Sequence, residues 1–96
     1  MPGQIEFDWD VHNIRHLHRH KVLPQECEEV FCAEPLDVCR QVIDGEERFV
    51  LLGSTRKGRI LTVVWTFRGE RIRVITAYSA LKRDRQLYYQ LKGHRT

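Results

Sequence analysis

The sequence predicts an α+β fold with two N-terminal helices, a mainly antiparallel twisted sheet of about four strands and one C-terminal helix. Three observations predict it. Residues 1–35 carry sparse apolar positions at helical spacing, punctuated by Pro24 and Pro35. Residues 36–78 form runs rich in β-branched and aromatic residues, separated by glycine-containing turns. Beyond Ser79, the pattern returns to a helical one. With 96 residues and 42% apolar residues, the chain builds one core, so residues 1–96 read as a single domain.

Gln4 to Asp8 alternates and reads as a short edge strand. Asp10 caps a first helix from Val11 to about His20, with a narrow apolar stripe of Val11, Ile14 and Leu17. Pro24 suits the first turn of a second helix, Glu26, Glu28 and Glu29 favour its N-terminal end, and Cys27, Val30 and Phe31 supply its apolar face. Pro35 ends it. Leu36 to Ile43 is a strand closed by Asp44-Gly45, and Glu46 to Gly53 is the next. Residues 54–58 form a basic loop. Arg59 to Phe67 pairs with Arg71 to Ala77 across an Arg68-Gly69 hairpin loop. In that register Trp65 faces Ile72, Val63 faces Val74 and Leu61 faces Thr76 on an apolar side, while Thr66, Arg71 and Arg73 occupy the other. Ser79 caps a last helix, Ala80 to Leu91, with Leu81, Leu87, Tyr88 and Leu91 on its apolar side.

The net charge of +3 conceals an asymmetry. Residues 1–48 hold five Lys/Arg against eleven Asp/Glu, a charge of −6; residues 49–96 hold eleven against two, a charge of +9. A uniformly basic DNA-coating protein is excluded, and a polyanion-facing surface on the basic half is expected. No apolar run is long enough for a transmembrane helix, and the first residues lack the basic and apolar regions of a signal peptide, which points to the cytoplasm and to no membrane partner. Cys27, Cys32 and Cys39, odd in number and without C-x-x-C spacing, read as small core residues.

Phe7-Asp8-Trp9-Asp10, Asn13, Arg19-His20, Val22, Pro24, Glu26, Glu28 and Val30-Phe31, followed by Glu47-Arg48-Phe49, Gly53, Gly58-Arg59, Val63-Val64, Thr66-Phe67-Arg68, Arg73 to Ala77, Arg85 and Tyr88, together resemble the BrnT-type toxins of bacterial type II toxin–antitoxin systems. The resemblance runs from about residue 6 to 89. It implies a RelE-like fold, ribonuclease activity that blocks translation and growth, no cofactor or metal, and a ribbon–helix–helix antitoxin of the BrnA kind. It also implies RNA as substrate, cut on the ribosome by analogy with RelE-like relatives. The resemblance is compatible with a homodimer and with a toxin–antitoxin hetero-oligomer. Two departures matter. Tyr78 stands where the family usually has Arg, and Lys21 where a Gly usually follows the helix-end His; Ser79 and Ala80 also differ.

Metal-independent RNA cleavage needs a proton taken from the 2′-hydroxyl, a stabilised pentavalent phosphate and a proton for the 5′-oxygen. Arginine matches the phosphate, so Arg68 and Arg73 are candidate catalytic residues, and Arg48, Arg59, Arg71 and Lys57 candidate RNA contacts. His20, Tyr78 and Glu47 are the proton-transfer candidates, His20 because imidazole titrates nearest neutrality. Arg48 and Glu47 also fit cross-strand ion pairs, and Arg59 an anchor for the 54–58 loop. His12, His16 and His20 share one helical face, but one straight helix cannot wrap three ligands around an ion. Trp65 falls on the apolar face, and Trp9 reads as a packing anchor between helix and sheet. Glu26, Glu28, Glu29 and Glu34 read as a solvated face. A catalytically impaired homologue that serves as antitoxin partner or co-repressor, and a plain nucleic-acid-binding domain, are the rival readings.

Overall fold

The computed structural model describes residues 5–92. Helices α1 (Val11–Arg19) and α2 (Pro24–Cys32) precede strands β1 (Leu36–Ile43), β2 (Glu46–Ser54), β3 (Ile60–Arg68) and β4 (Arg71–Ser79), and α3 (Lys82–Leu91) closes the chain. The strands form one antiparallel meander in chain order, as the hairpin-length connections require. No described helix is long and apolar enough to cross a membrane.

The two sheet faces are covered unequally. On one, Leu17 of α1 and Cys27 and Val30 of α2 pack on Leu51, Leu61, Val63, Val74 and Ala77, with Phe7, Trp9, Phe31 and Trp65 around them. Trp9 does anchor helix to sheet: it stacks on Phe7 and donates its indole N–H to Glu28 at 2.8 Å. Gly53 sets the closeness of α2, because a Cβ there would run into Val30. On the opposite face α3 covers only a small cluster, Leu52 and Ile60 beneath Ala80 and Tyr88.

The α1 stripe differs from the predicted one. Leu17 is buried, but Val11 and Ile14 are exposed and Asn13 is buried instead. Asn13 accepts from the Asp10 N–H and donates to the Asp8 carbonyl, so polar capping, not apolar burial, fastens the first turn. At the other end the Lys21 N–H donates to His18 O and the Val22 N–H to Leu17 O, the paired bonds of a Schellman motif. Lys21 takes the left-handed residue's place at φ +59°, where a glycine would be unstrained.

Four other expectations are corrected. The β3–β4 loop is Gly69-Glu70, with Arg68 paired to Arg71; Gly69 has φ +62° and occupies the first loop position, as a Gly-X hairpin turn demands. Ser79 ends β4 rather than capping α3, which starts after Leu81, and of the predicted apolar side of α3 only Tyr88 is buried. Cys32 and Cys39 are exposed, at the end of α2 and on an edge strand; only Cys27 is buried, and burial, with Glu26 and Glu28 nearby, raises its thiol to about 12. Finally, residues near the N-terminus make an isolated parallel bridge, Phe7 with Ile72, rather than a strand; Gln4 lies outside the described residues.

Candidate active site

A bulge in β4 decides which side chains share the open sheet face. Val64 pairs with Thr76 but Trp65 pairs with Val74, leaving Ile75 as an extra residue. Before it the even-numbered Ile72 and Val74 face the helices; after it Ala77 does. Without the bulge, strict alternation would put Arg73 and Tyr78 on opposite faces. With it, Arg73 lies opposite Thr66 and Tyr78 opposite Thr62, on one side of the sheet. Alternation along β2 adds Arg48, opposite in direction to Phe49 and Trp65. The sequence-based faces for Thr66, Arg71 and Arg73 hold, because the observed register differs by two residues there, but all three predicted partners fail: Trp65 pairs with Val74, not Ile72, and past the bulge Val63 pairs with Ala77, not Val74, and Leu61 with Ser79, not Thr76.

At one end of this face, α1 meets the end of β4. The His20 and Tyr78 rings lie with centroids 5.8 Å apart, so two of the three proton-transfer candidates are neighbours. The third, Glu47, is elsewhere, paired with Arg40 at 2.8 Å on the sheet's hairpin end. Arg59 bonds to the chain beside both members of the His20–Tyr78 pair. Its Nη1 donates to Lys21 O at 2.8 Å and to Glu26 at 3.2 Å, and its Nε and Nη2 donate to the Ser79 hydroxyl at 3.1 and 2.9 Å.

The remaining arginines meet carboxylates from the acidic half of the chain. Arg73, only 14% exposed, lies 2.9 Å from Asp10 and 3.5 Å from Asp8, and its Nη2 donates to Asp10 Oδ1 at 3.2 Å. That bond, then the N–H of Asn13, holds the Asp10 carboxyl at about 2, below its ordinary 3.8. Arg68 lies 3.4 Å from Asp8 and Arg71 3.5 Å from Glu6, both with arginine side chains largely exposed. Arg48 donates to Glu46 on its own strand at 3.0 Å. The expected segregation of acidic and basic surfaces is therefore not what the fold does: the −6 and +9 halves interlock. Nor is α2 a merely solvated acidic face, since Glu26 holds Arg59, Glu28 holds Trp9 and Glu29 accepts the Arg56 N–H. Lys57 is exposed in the loop after β2, beside Glu26 and Glu29, away from the open face.

A hollow of about 140 Å³ between α1 and β4 is lined by His12, Asn13, His16, Arg73 and Ile75. The histidine stripe thus follows β4 from Arg73 to Tyr78. Among the described residues no three His, Cys, Asp or Glu side chains converge as metal ligands would.

The family model for the ribonuclease toxin BrnT of type II toxin–antitoxin systems matches residues 9–84. The chain belongs to the BrnT family. None of the curated proteins matches it in sequence. The helix–helix–four strands–helix order is the RelE-like fold of the BrnT family. The match contains His20, Arg59, Arg68, Arg73 and Tyr78, and also the residues that sequence reasoning passed over as site components: Asp10, Glu26 and Ser79. A signal existed for Asp8 and Asp10. Acids at alternate positions just before a helix share one side of an extended segment, and so can meet arginines on a neighbouring strand.

Proposed function

We propose that the chain is a metal-independent endoribonuclease that acts in the cytoplasm, stops translation by cutting RNA and is neutralised by a BrnA-like ribbon–helix–helix antitoxin. The observation that supports this reading best is the contact of His20 with Tyr78 on the sheet face that also carries Arg48, Arg68, Arg71 and Arg73. RNA lies along β3. Arg68 and Arg71, exposed and held only by ion pairs of 3.4–3.5 Å, exchange carboxylate for phosphate, and Arg48 flanks them. Exposed pairs of this length contribute under about 1 kcal/mol, so exchange is cheap. Arg73 braces Asp10 and the start of α1. Four residues of β3 separate the Arg73 and Tyr78 rows, about 13 Å, so these arginines hold phosphates flanking the one cut. At the cut, His20 takes the 2′-hydroxyl proton, the 2′-oxygen bonds to phosphorus as the P–O5′ bond breaks, and the Tyr78 phenol gives its proton to the leaving 5′-oxygen.

A second reading, a toxin homologue that only binds its antitoxin, is favoured by the neutralised guanidinium of Arg73 and by Tyr78 in the usual Arg position. Induced expression in a bacterium separates the two. Growth arrest that is reversed by the antitoxin and abolished by His20→Ala in folded protein supports cleavage; normal growth with abundant soluble wild-type chain refutes it. Binding of a single-stranded RNA should also weaken steeply with salt.

A further inference from the structure

We infer that Arg59 is a positioning residue: it ties the end of α1 to the end of β4 and thereby sets the His20 ring against Tyr78. This rests on the proton-transfer role proposed for that pair. The sequence alone suggests Arg59 as an RNA contact, but its donors are already engaged inside the protein. Nη1 reaches Lys21 O at 2.8 Å and Glu26 at 3.2 Å, Nη2 lies 3.5 Å from His20 O, and Nε and Nη2 together hold Ser79 Oγ. Those acceptors come from three separate pieces of chain. His20 and Lys21 form the α1 terminus, Glu26 belongs to α2, and Ser79 directly follows Tyr78 in β4.

The tie is needed because the local backbone does not hold this geometry cheaply. Lys21 sits at φ +59°, a left-handed conformation that a side chain disfavours relative to glycine. The carbonyl of this residue receives the shortest Arg59 bond. Arg59 itself is fixed at its root, since its N–H donates to Thr55 Oγ1 and its carbonyl accepts the Thr55 N–H across the loop. A planar guanidinium with several fixed donors suits this junction; a lysine ammonium, a point charge on a flexible stem, can restore the bond to one carbonyl but not the fork to Ser79.

The test uses the full chain, with NMR of the His20 and Tyr78 rings and cleavage of a single-stranded RNA oligonucleotide. In Arg59→Ala the inter-ring contact is expected to disappear, and kcat to fall by about 100-fold with KM within about twofold, the mark of misplacement rather than lost binding. Arg59→Lys should regain part of both. Arg56→Ala, which removes a neighbouring loop cation that bonds only through its backbone, should leave the ring contact unchanged. If Arg59→Ala does not fold, Ser79→Ala carries the test, because it removes one arm of the tie and keeps Glu26; weakened ring contact and reduced kcat are expected. A rise in KM at unchanged kcat in Arg59→Ala would make Arg59 an RNA contact and overturn the inference, as would an intact ring contact in the folded variant. If the wild-type chain does not cleave RNA, the proposed activity fails, and the ring contact alone then decides for or against the tie.

Discussion

The two edges of the sheet are treated in opposite ways. The β4 edge is covered. The Asp8 N–H donates to Ile72 O, the Ile72 N–H donates to Glu6 O, and α1 lies alongside with Leu17 fully buried. Ion pairs then connect Glu6, Asp8 and Asp10 to the arginines of β3 and β4. The β1 edge is bare: Val38, Val42 and Ile43 are exposed, a bulge interrupts its pairing with β2, and Phe67 is exposed two strands away. Strong covering of β4 fixes the residues assigned to chemistry. Disrupted, mixed-charge β1 protects itself from edge pairing only by its bulge and by Asp37 and Arg40.

Breaking the covered edge should have the largest effect. Leu17→Ala is expected to cost about 2–5 kcal/mol in urea unfolding, whereas Val42→Ala on the bare edge should stay within about 0.5 kcal/mol. Similar losses at both sites would show that α1 is not what holds β4. Next comes Asp10. Its carboxyl titrates at about 2 when folded against an ordinary 3.8, so its stabilising contribution is complete above about pH 4 and is lost as pH falls toward 2. The difference in thermal midpoint between wild type and Asp10→Asn should therefore be widest near neutrality and shrink through that window; a constant difference would mean the Arg73 pair contributes nothing.

Chemical labelling sharpens the same contrast. Native protein should be alkylated at Cys32 and Cys39 but not at Cys27, whose thiol is buried and raised to about 12; mass spectrometry reads this directly. Two smaller effects should be stabilising or neutral. Lys21→Gly relieves the positive φ at the α1 terminus and should raise the urea midpoint by an amount equivalent to about 1 kcal/mol. Thr62→Val replaces a buried hydroxyl that has no hydrogen-bond partner among the described residues by a methyl of similar size, and should be neutral or stabilise by under about 1 kcal/mol. A clear loss on Thr62→Val would mean that this hydroxyl, across from Tyr78, has a role in the site.

Much of the fold was legible from local chemistry. Pro24, Pro35, Asp44-Gly45 and Gly69 punctuate the chain at the places where helices and strands begin or end, because those residues restrict or permit particular φ values whatever surrounds them. Burial was less legible. Val11 and Ile14 fit a helical stripe yet remain in solvent, and Asn13 takes the inner position, because its partners Asp8 and Asp10 arrive from outside the helix.

The candidate site divides in the same way. By itself, the sequence determined the element order, the residue types suited to phosphate and proton transfer, and the family resemblance that the match over residues 9–84 established. Only the tertiary structure decided which of those residues meet. One extra residue at Ile75 turns Tyr78 onto the face of Arg73, and Arg59 reaches across to the ends of α1 and β4. It also decided that −6 and +9 interlock, since ion pairing depends on distance in space, and Asp10 and Arg73, 63 residues apart along the chain, come within 2.9 Å only on folding.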